Sequence, residues 1–369
     1  MKANIYYITY SSIPSELPSS LQIIKTCEGL SKNKNLVTLI KPGTGNKKIS
    51  IRKFYDLKEN INIKEFKSIK DFPRGIKFYL YSFYCLFYIL KKKDPLIITR
   101  NYFVSYLLLI FNIKVILEVH HDTNIEGRVN KFILNYLNFF KKKKLTKIIA
   151  ISNSVKNLFV KKYSVDPKKI IVLPSGSSIR VNKPPRFSFN KRLKIGYFGS
   201  IAYSKGINTL IKLSKIDQEN DYYIFGGKKE ELQKFRNRNS NKNLFFREHI
   251  SYNFLPKIMM TMDILTIPYT RTVNSAGGVD DISHYTSPLK LFDYMAVGKI
   301  IISSNLKVLR EVIGHRNAYF INNFENIFEW KKNIIIAKNN KEKIFIMSKN
   351  NLRLSKQYDH YRRVKKYIN

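Results

Sequence analysis

The chain has 369 residues, 44% of them hydrophobic and 14% aromatic, which is too apolar for a disordered chain and enough for two domains of ordinary size. Its 67 Lys and Arg against 26 Asp and Glu leave a net charge of +41. The excess runs through both halves rather than in a tail, which excludes a separate basic nucleic-acid arm. It favours some polyanion (lipid headgroups, nucleic acid or a phosphorylated substrate) unless it is a compositional drift toward lysine.

In chain order, IYYITY (5–10) reads as a first strand and not as part of a signal peptide, because polar residues follow at once. SSLQIIKTCEGLSK (19–32) is an amphipathic helix and LVTLI (36–40) a second strand. FYLYSFYCLFYIL (78–90) and YFVSYLLLIF (102–111) are the most lipid-like stretches, but both are too short to span a bilayer as helices. Within 74–93, RGIKFYLYSFYCLFYILKKK, aromatic residues lie between basic ends, and KKKK follows at 141–144. These segments predict reversible attachment to an anionic membrane surface; the competing expectation is a helix buried in a core. LIIT (96–99), KVILEVH (114–120), KIIAIS (147–152) and KIIVLP (169–174) are further strands, with VNKFILNYLNFF (129–140) a helical stretch among them. RVNKPPRFSFNKR (180–192), with its Pro pair and dense charge, reads as a linker.

The second half restarts the rhythm with LKIGYFGS (193–200), YYIFGG (222–227), LFFREHI (244–250), ILTIPY (264–269) and KIIISS (299–304). The last stretch, RLSKQYDHYRRVKKYIN (353–369), predicts a basic helix with no strand after it. Strands alternating with helices imply an α/β protein of two doubly wound, Rossmann-like domains, with ligands at the carboxyl ends of strands in the cleft between them. Cys27 and Cys85 are far apart and show no metal spacing, as in a reduced cytosolic protein.

Three places carry candidate chemistry. In LKIGYFGSIAYSKGINTLI (193–211), Gly199 opens a strand-to-helix loop and Lys205 stands at the helix entry, where free N–H groups favour a phosphate; a plain turn with a solvated lysine fits equally. In TSPLKLFDYMAVGK (286–299), Thr286, Ser287 and Pro288 start a helix whose first N–H groups, at Ser287, Leu289 and Lys290, are open to an anion. Asp293, farther in, suits a vicinal diol, though a capping or surface aspartate has the same spacing. ILEVHHDTN (116–124) ends a strand in His120, His121 and Asp122, able to contact a sugar or phosphate, to carry a proton, or to serve structure alone. The HHD run is local, and His249, His284, His315 and His360 are scattered, so no metal site is expected. No Ser-His-Asp pattern or Walker loop is present.

Taken in order, LEVHHD, AISNSVKNLFVKKYSVDPKKIIVLPSG, IGYFGSIAYSKGINTLI, YYIFGG, DILTIPY and TSPLKLFDYMAVGKIIISSNLKVLREVI resemble a family 4 glycosyltransferase of the two-Rossmann glycosyltransferase-B (GT-B) fold. The likeness reaches almost the whole chain, and the run from Ser287 to Val312 is its most specific part. It implies an acceptor-side domain over 1–186, a nucleotide-sugar domain over 187–345, and a helix over 346–369 crossing back to the first domain.

The resemblance also implies a retaining, metal-independent transfer of a hexose from a nucleotide sugar to a lipid-linked or growing glycan. The expected setting is cell-surface polysaccharide or lipopolysaccharide synthesis, at the inner face of the cytoplasmic membrane. No cofactor and no specific nucleic acid are expected. Asp293 matches the second acid of the family's Glu-x7-Glu signature, which holds the donor ribose. Lys205 matches the lysine on the diphosphate, the turn from Thr286 to Leu289 the backbone near phosphates and sugar, and His120 the histidine beside the transferred sugar. In such enzymes the leaving phosphate is thought to take the acceptor's proton. Two positions depart from the pattern: the first acid falls on Tyr285 and the phosphate-binding arginine on Ser200, with Arg271 or a neighbouring lysine as replacement. These departures motivate the alternative of a weakened or non-catalytic binding protein.

Overall fold

A computed structural model of the protein describes residues 3–43, 50–66, 73–122, 127–187, 192–239, 241–274 and 280–368. The chain forms two compact units, Met1–Pro174 with His360–Asn369, and Ser175–Asp359.

The first unit runs β1 (Asn4–Ile8), α1 (Pro18–Lys32), β2 (Leu36–Pro42), α2 (Ile51–Phe54), β3 (Asn62–Phe66), α3 (Arg74–Leu90), β4 (Leu96–Thr99), α4 (Tyr102–Ile110), β5 (Lys114–Val119), α5 (Arg128–Tyr136), β6 (Leu145–Ala150), α6 (Asn153–Tyr163) and β7 (Ile170–Val172). Its seven strands lie in the order β3-β2-β1-β4-β5-β6-β7, all parallel. A parallel sheet covered by helices is buried on both faces, so its strands read as short apolar runs, and LIIT (96–99) coincides with β4. Local sequence sets the helix starts. Pro18 occupies the first turn of α1, where a missing N–H costs nothing. Asn101 and Ser152 cap α4 and α6 by accepting from the N–H of Val104 and Val155.

The second unit runs β8 (Lys194–Phe198), α7 (Ile207–Ile216), β9 (Asp221–Phe225), α8 (Lys229–Asn237), β10 (Leu244–Arg247), α9 (Leu255–Met260), β11 (Ile264–Ile267), α10 (Leu289–Ala296), β12 (Ile300–Ser304), α11 (Lys307–Arg310), β13 (Tyr319–Ile321), α12 (Ile327–Asn339) and α13 (Lys341–Ser355). The strand order is β10-β9-β8-β11-β12-β13, again parallel. Two apolar clusters sandwich this sheet, one including Ile195, Leu210, Ile224 and Trp330, the other Phe198, Leu265, Phe292 and Ile301.

After α13 the chain turns through Lys356–Tyr358 into α14 (His360–Ile368), which packs against α1 in the first unit. The expected continuous basic helix over 353–369 is therefore corrected. Its beginning belongs to α13, and a break at Asp359, with extended backbone, separates α14. Val364 and Tyr367 enter the first unit's core, and Arg363 Nε donates to the carbonyl of Pro174 at 2.7 Å. The units divide after Pro174 and Asp359, whereas the sequence suggested divisions after 186 and 345. Residues beyond 174 already bond within the second unit: Ser175 N donates to Ser287 Oγ, and Ser178 N to Tyr252 Oη. α13 stays with that unit through Ile344, Met347, and the Ser348 hydroxyl on the carbonyl of Gly298. The expected linker is described up to Phe187 and from Arg192; residues 188–191 lie outside the described residues.

Candidate functional site

In the second unit the strand order reverses between β8 and β11, the position at which doubly wound sheets bind ligands beyond the strand ends. Three segments meet there: the loop Gly199–Gly206 after β8, Tyr269 after β11, and the start of α10. Gly199 has φ +143° and its N–H donates to Phe225 O at 2.9 Å. Ser200 is exposed, and its carbonyl accepts from Tyr197 Oη at 2.8 Å. The loop is stitched to residues 270–274 through Ser204, whose carbonyl accepts from Thr270 and whose hydroxyl accepts from Asn274 N.

Lys205 is 9% exposed and donates to the carbonyl of Asn274 at 2.7 Å, with its ammonium 5.1 Å from the Tyr269 ring. Burial lowers its pKa to about 8, partly offset by Asp281. A lysine held by a carbonyl and a ring keeps its charge available to an incoming anion.

α10 begins after Pro288, whose extended backbone caps it, as TSPLKLFDYMAVGK suggested. Thr286 is buried with its N–H on Ile282 O, and Tyr285 N donates to the same carbonyl. The Ser287 hydroxyl accepts from Ser175 N. Among the described residues no acceptor meets the N–H groups of Ser287, Leu289 and Lys290, so the helix start is open to an anion as expected. Tyr294 on the same helix accepts from Phe198 N at 2.9 Å, fixing α10 to the end of β8.

Asp293 is 4% exposed and accepts from Ser177 Oγ at 2.6 Å through Oδ1. No described residue donates to its other oxygen. Burial raises its pKa to about 7, against the opposing effect of Ser177. This is not a capping aspartate: it lies inside the helix, away from the first N–H groups, and keeps one acceptor oxygen for a donor from outside.

His120 lies in the first unit, at the end of β5, next to a buried charge network. Glu118 accepts from Tyr7 Oη at 2.6 Å, from Arg100 Nε at 2.7 Å and from Tyr367 Oη, with Arg363 Nη2 at 3.6 Å. Burial pushes Glu118 up, but Arg100 and its other partners outweigh it and hold the carboxyl well below the usual range. His120 Nε2 is buried 3.8 Å from Glu118, beyond hydrogen-bond reach, and has no partner. Burial and the Arg100 charge lower its pKa to about 3, so at neutral pH the ring is uncharged. It offers a hydrogen bond, not a positive charge. His121 Nδ1 lies 2.9 Å from Asp122 O, and the Asp122 carboxylate accepts from Lys162 and Tyr163.

The structure thus sets the loop with Gly199, Ser200 and Lys205 against α10, which carries Leu289 and Asp293 and follows directly on Tyr285, Thr286, Ser287 and Pro288, all in the second unit. Sequence reasoning missed Ser177, Tyr197, Tyr269 and the side chain of Lys290. The serines of PSGSS (174–178), directly after a strand, were the available signal for Ser177. Among the described residues no group of three or more His, Cys, Asp or Glu converges.

Two doubly wound units with this open helix start, buried lysine and buried acid define a glycosyltransferase of the GT-B type. The model of glycosyl transferases group 1 matches residues 179–354, and that of glycosyltransferase family 4 matches residues 22–179. The chain belongs to the family 4 glycosyltransferases. The structure of Anabaena HepE with UDP and glucose is similar at a TM-score of 0.71 and 13% identity, covering 99% of this chain and 98% of that one. A glycosyltransferase from Rickettsia africae gives 0.72 and 17%, covering 100% and 97%. WaaG, a glycosyltransferase involved in lipopolysaccharide biosynthesis, gives 0.65 and 11%, covering 98% of each chain. No curated protein matches the sequence.

Proposed function

We propose that this glycosyltransferase is a retaining, metal-independent enzyme moving a hexose from a nucleotide sugar to a lipid-linked or growing glycan in cell-surface polysaccharide or lipopolysaccharide synthesis. The observation that carries the donor reading is Asp293, a buried carboxylate with one oxygen held by Ser177 and the other open. A carboxylate so placed accepts from both hydroxyls of a ribose. Lys205 and the free N–H groups at the start of α10 meet the diphosphate, and Gly199 lets it approach the backbone. The acceptor oxygen bonds to the anomeric carbon as the carbon–oxygen bond to the diphosphate breaks. The diphosphate leaves with the electron pair and takes the acceptor's proton, so no protein nucleophile is needed. His120 serves this step as an uncharged hydrogen-bonding ring. The cations that meet the charge are lysines, which is why no metal enters the reading.

The site of action in this reading is the inner face of the cytoplasmic membrane. No helix among the described residues is long and apolar enough to cross a membrane. α3 buries Tyr81, Cys85, Leu86 and Ile89, and exposes Ile76, Phe83, Tyr84, Phe87 and Leu90 on its other face. Phe87 is 60% exposed, and on α5 Tyr136 is 73% exposed. Lys91–Lys93 and Lys141–Lys144 lie in the same unit, an apolar and basic pairing that suits an anionic leaflet.

The test is a panel of UDP-, GDP-, ADP- and dTDP-sugars followed by thermal shift and by release of free sugar. HepE was solved with UDP-glucose, so UDP-sugars come first. A donor that raises Tm and is slowly hydrolysed to the sugar with unchanged anomeric configuration supports the reading. Binding without hydrolysis or transfer favours the weakened binding protein suggested by Tyr285 and Ser200.

A further inference from the structure

We propose that Lys290 is a second diphosphate-binding residue of the donor site, acting with Lys205 as a two-lysine clamp over the loop at Gly199. The proposal rests on the nucleotide-sugar reading and adds to it the residue that completes the charge.

Lys290 is the second residue of α10, where a lysine ordinarily extends into solvent or pairs with an acid. Here it is half-buried and lies back across the strand end. Its ammonium is 3.7 Å from the centroid of the Tyr197 ring and 5.2 Å from that of Tyr269, the ring that also carries Lys205 at 5.1 Å. Among the described residues it has no hydrogen bond and no ion pair. The backbone at position 199 makes room for it, because a Cβ there would lie 2.7 Å from Nζ.

Among the described residues no acid answers this charge. Asp281, which acts on Lys205, is committed to Val273 N, Ser283 N and the Ser283 hydroxyl. Two ammonium groups have been brought to one aromatic platform, Lys290 against rings alone and Lys205 against a ring and the carbonyl of Asn274, an arrangement that costs energy in the empty protein. Burial first, and the Lys205 charge second, push Lys290 well below the ordinary lysine range. A dianion that bridges both lysines removes that cost, and the N–H groups of Leu289 and Lys290, which meet no acceptor among the described residues, open the helix that carries Lys290. Ser200, exposed and uncharged, supplies no cation there, and the exposed Arg271 has no described contact with either ring.

The experiment compares wild type with Lys290→Met, Lys290→Arg and the control Arg271→Ala. The probe is whichever of UDP, GDP, ADP or dTDP gives wild type the largest thermal shift, set against its nucleoside. Isothermal titration at pH 8, in two buffers of different ionisation heat, reads affinity and proton uptake. Loss of a charge-assisted contact predicts roughly tenfold or weaker diphosphate binding by Lys290→Met, with nucleoside binding unchanged. It also predicts reduced proton uptake, with partial rescue by arginine. Should Lys290→Met be too unstable to titrate, Lys290→Arg carries the decision: it must bind diphosphate without the wild-type proton uptake, since guanidinium does not titrate there. Wild-type diphosphate affinity in Lys290→Met, or unchanged uptake in Lys290→Arg, overturns the clamp and leaves Lys290 a packing residue. Diphosphate affinity lost in Arg271→Ala alone assigns the charge to Arg271 and also overturns it. If wild type binds no nucleoside diphosphate, the donor reading itself fails.

Discussion

Asp293 sits among Leu289, Leu291, Phe292, Tyr294 and Met295 because its helix is buried from Leu291 to Ala296 and half-open only at its start, at Leu289 and Lys290. The empty protein meets a cost for this. With its pKa raised to about 7, the folded state keeps a proton that the unfolded chain gives up near pH 4. The stability contributed by the neutral form is complete below about pH 4 and is lost as pH rises through 7. Asp293→Asn should therefore flatten the fall in Tm between pH 4 and 7, and leave the protein more stable at pH 8 by as much as about 4 kcal/mol. Matching Tm profiles for the two proteins would show that this group does not titrate there. The same variant should bind donor less well, because a carboxamide accepts only one of two ribose hydroxyls, while Asp293→Glu retains binding.

Lys205 moves in the opposite sense, its cation fading above about pH 8. Donor kcat/KM in wild type should follow a bell with limbs near 7 and 8, the first from Asp293 and the second from Lys205. Lys205→Met should raise KM and lower kcat by about 100-fold, since charge grows on the diphosphate in the transition state. Steady-state rates across pH check both; a flat profile removes these residues from the donor site.

At the scale of elements, the strands that sequence reveals are those buried on both faces. β4, LIIT, coincides with the strand expected at 96–99, and β8, Lys194–Phe198, lies within the stretch 193–200 expected to hold a strand. β3 was missed because NIKEF, an edge strand half open to solvent, mixes Lys64 and Glu65 with apolar residues. β13 was missed because three residues, YFI, carry no period. α10 was legible, but the course of the Lys290 side chain was not. It depends on Tyr197 and Gly199, some 90 residues earlier, and Ser177 reaches Asp293 across 116 positions. Such pairings arise only when β8, β11 and α10 converge.

That convergence can be tested at Gly226, which has φ +143° and where a Cβ would stand 1.8 Å from Gly199 O. Gly226→Ala must move the loop that carries the site, so it should cost about 1–3 kcal/mol and weaken donor binding. Gly75, in the first turn of α3 with nothing within 4 Å, is the control: Gly75→Ala should be neutral or slightly stabilising. Equal Tm and donor affinity for the two variants would mean that the backbone at 226 yields freely.

For the whole molecule, the two doubly wound units were legible from the repeated rhythm of strands and helices, and the family resemblance implied the return of a closing helix to the first unit; only its bounds, His360–Ile368, required the structure. The net charge of +41 was legible too, but not its use. α3 answers the expectation of a buried helix for one face alone, since its other face, with Phe83 and Phe87, lies in solvent. Exposed aromatics favour the headgroup boundary, and each nearby lysine adds about 1 kcal/mol on an anionic leaflet, so Lys141 to Lys144 contribute up to about 4 kcal/mol. The protein should therefore bind phosphatidylglycerol vesicles at low salt, in flotation, and come off steeply as salt screens the surface. Replacing Lys141–Lys144 with Gln should remove most of this binding, and Phe87→Ser should weaken what salt leaves behind. Neither change should alter donor affinity in solution, because both lie in the first unit and Asp293, Lys205 and Lys290 in the second. A protein that ignores anionic vesicles at low salt, or that binds neutral and anionic vesicles alike, would exclude this face as the membrane contact.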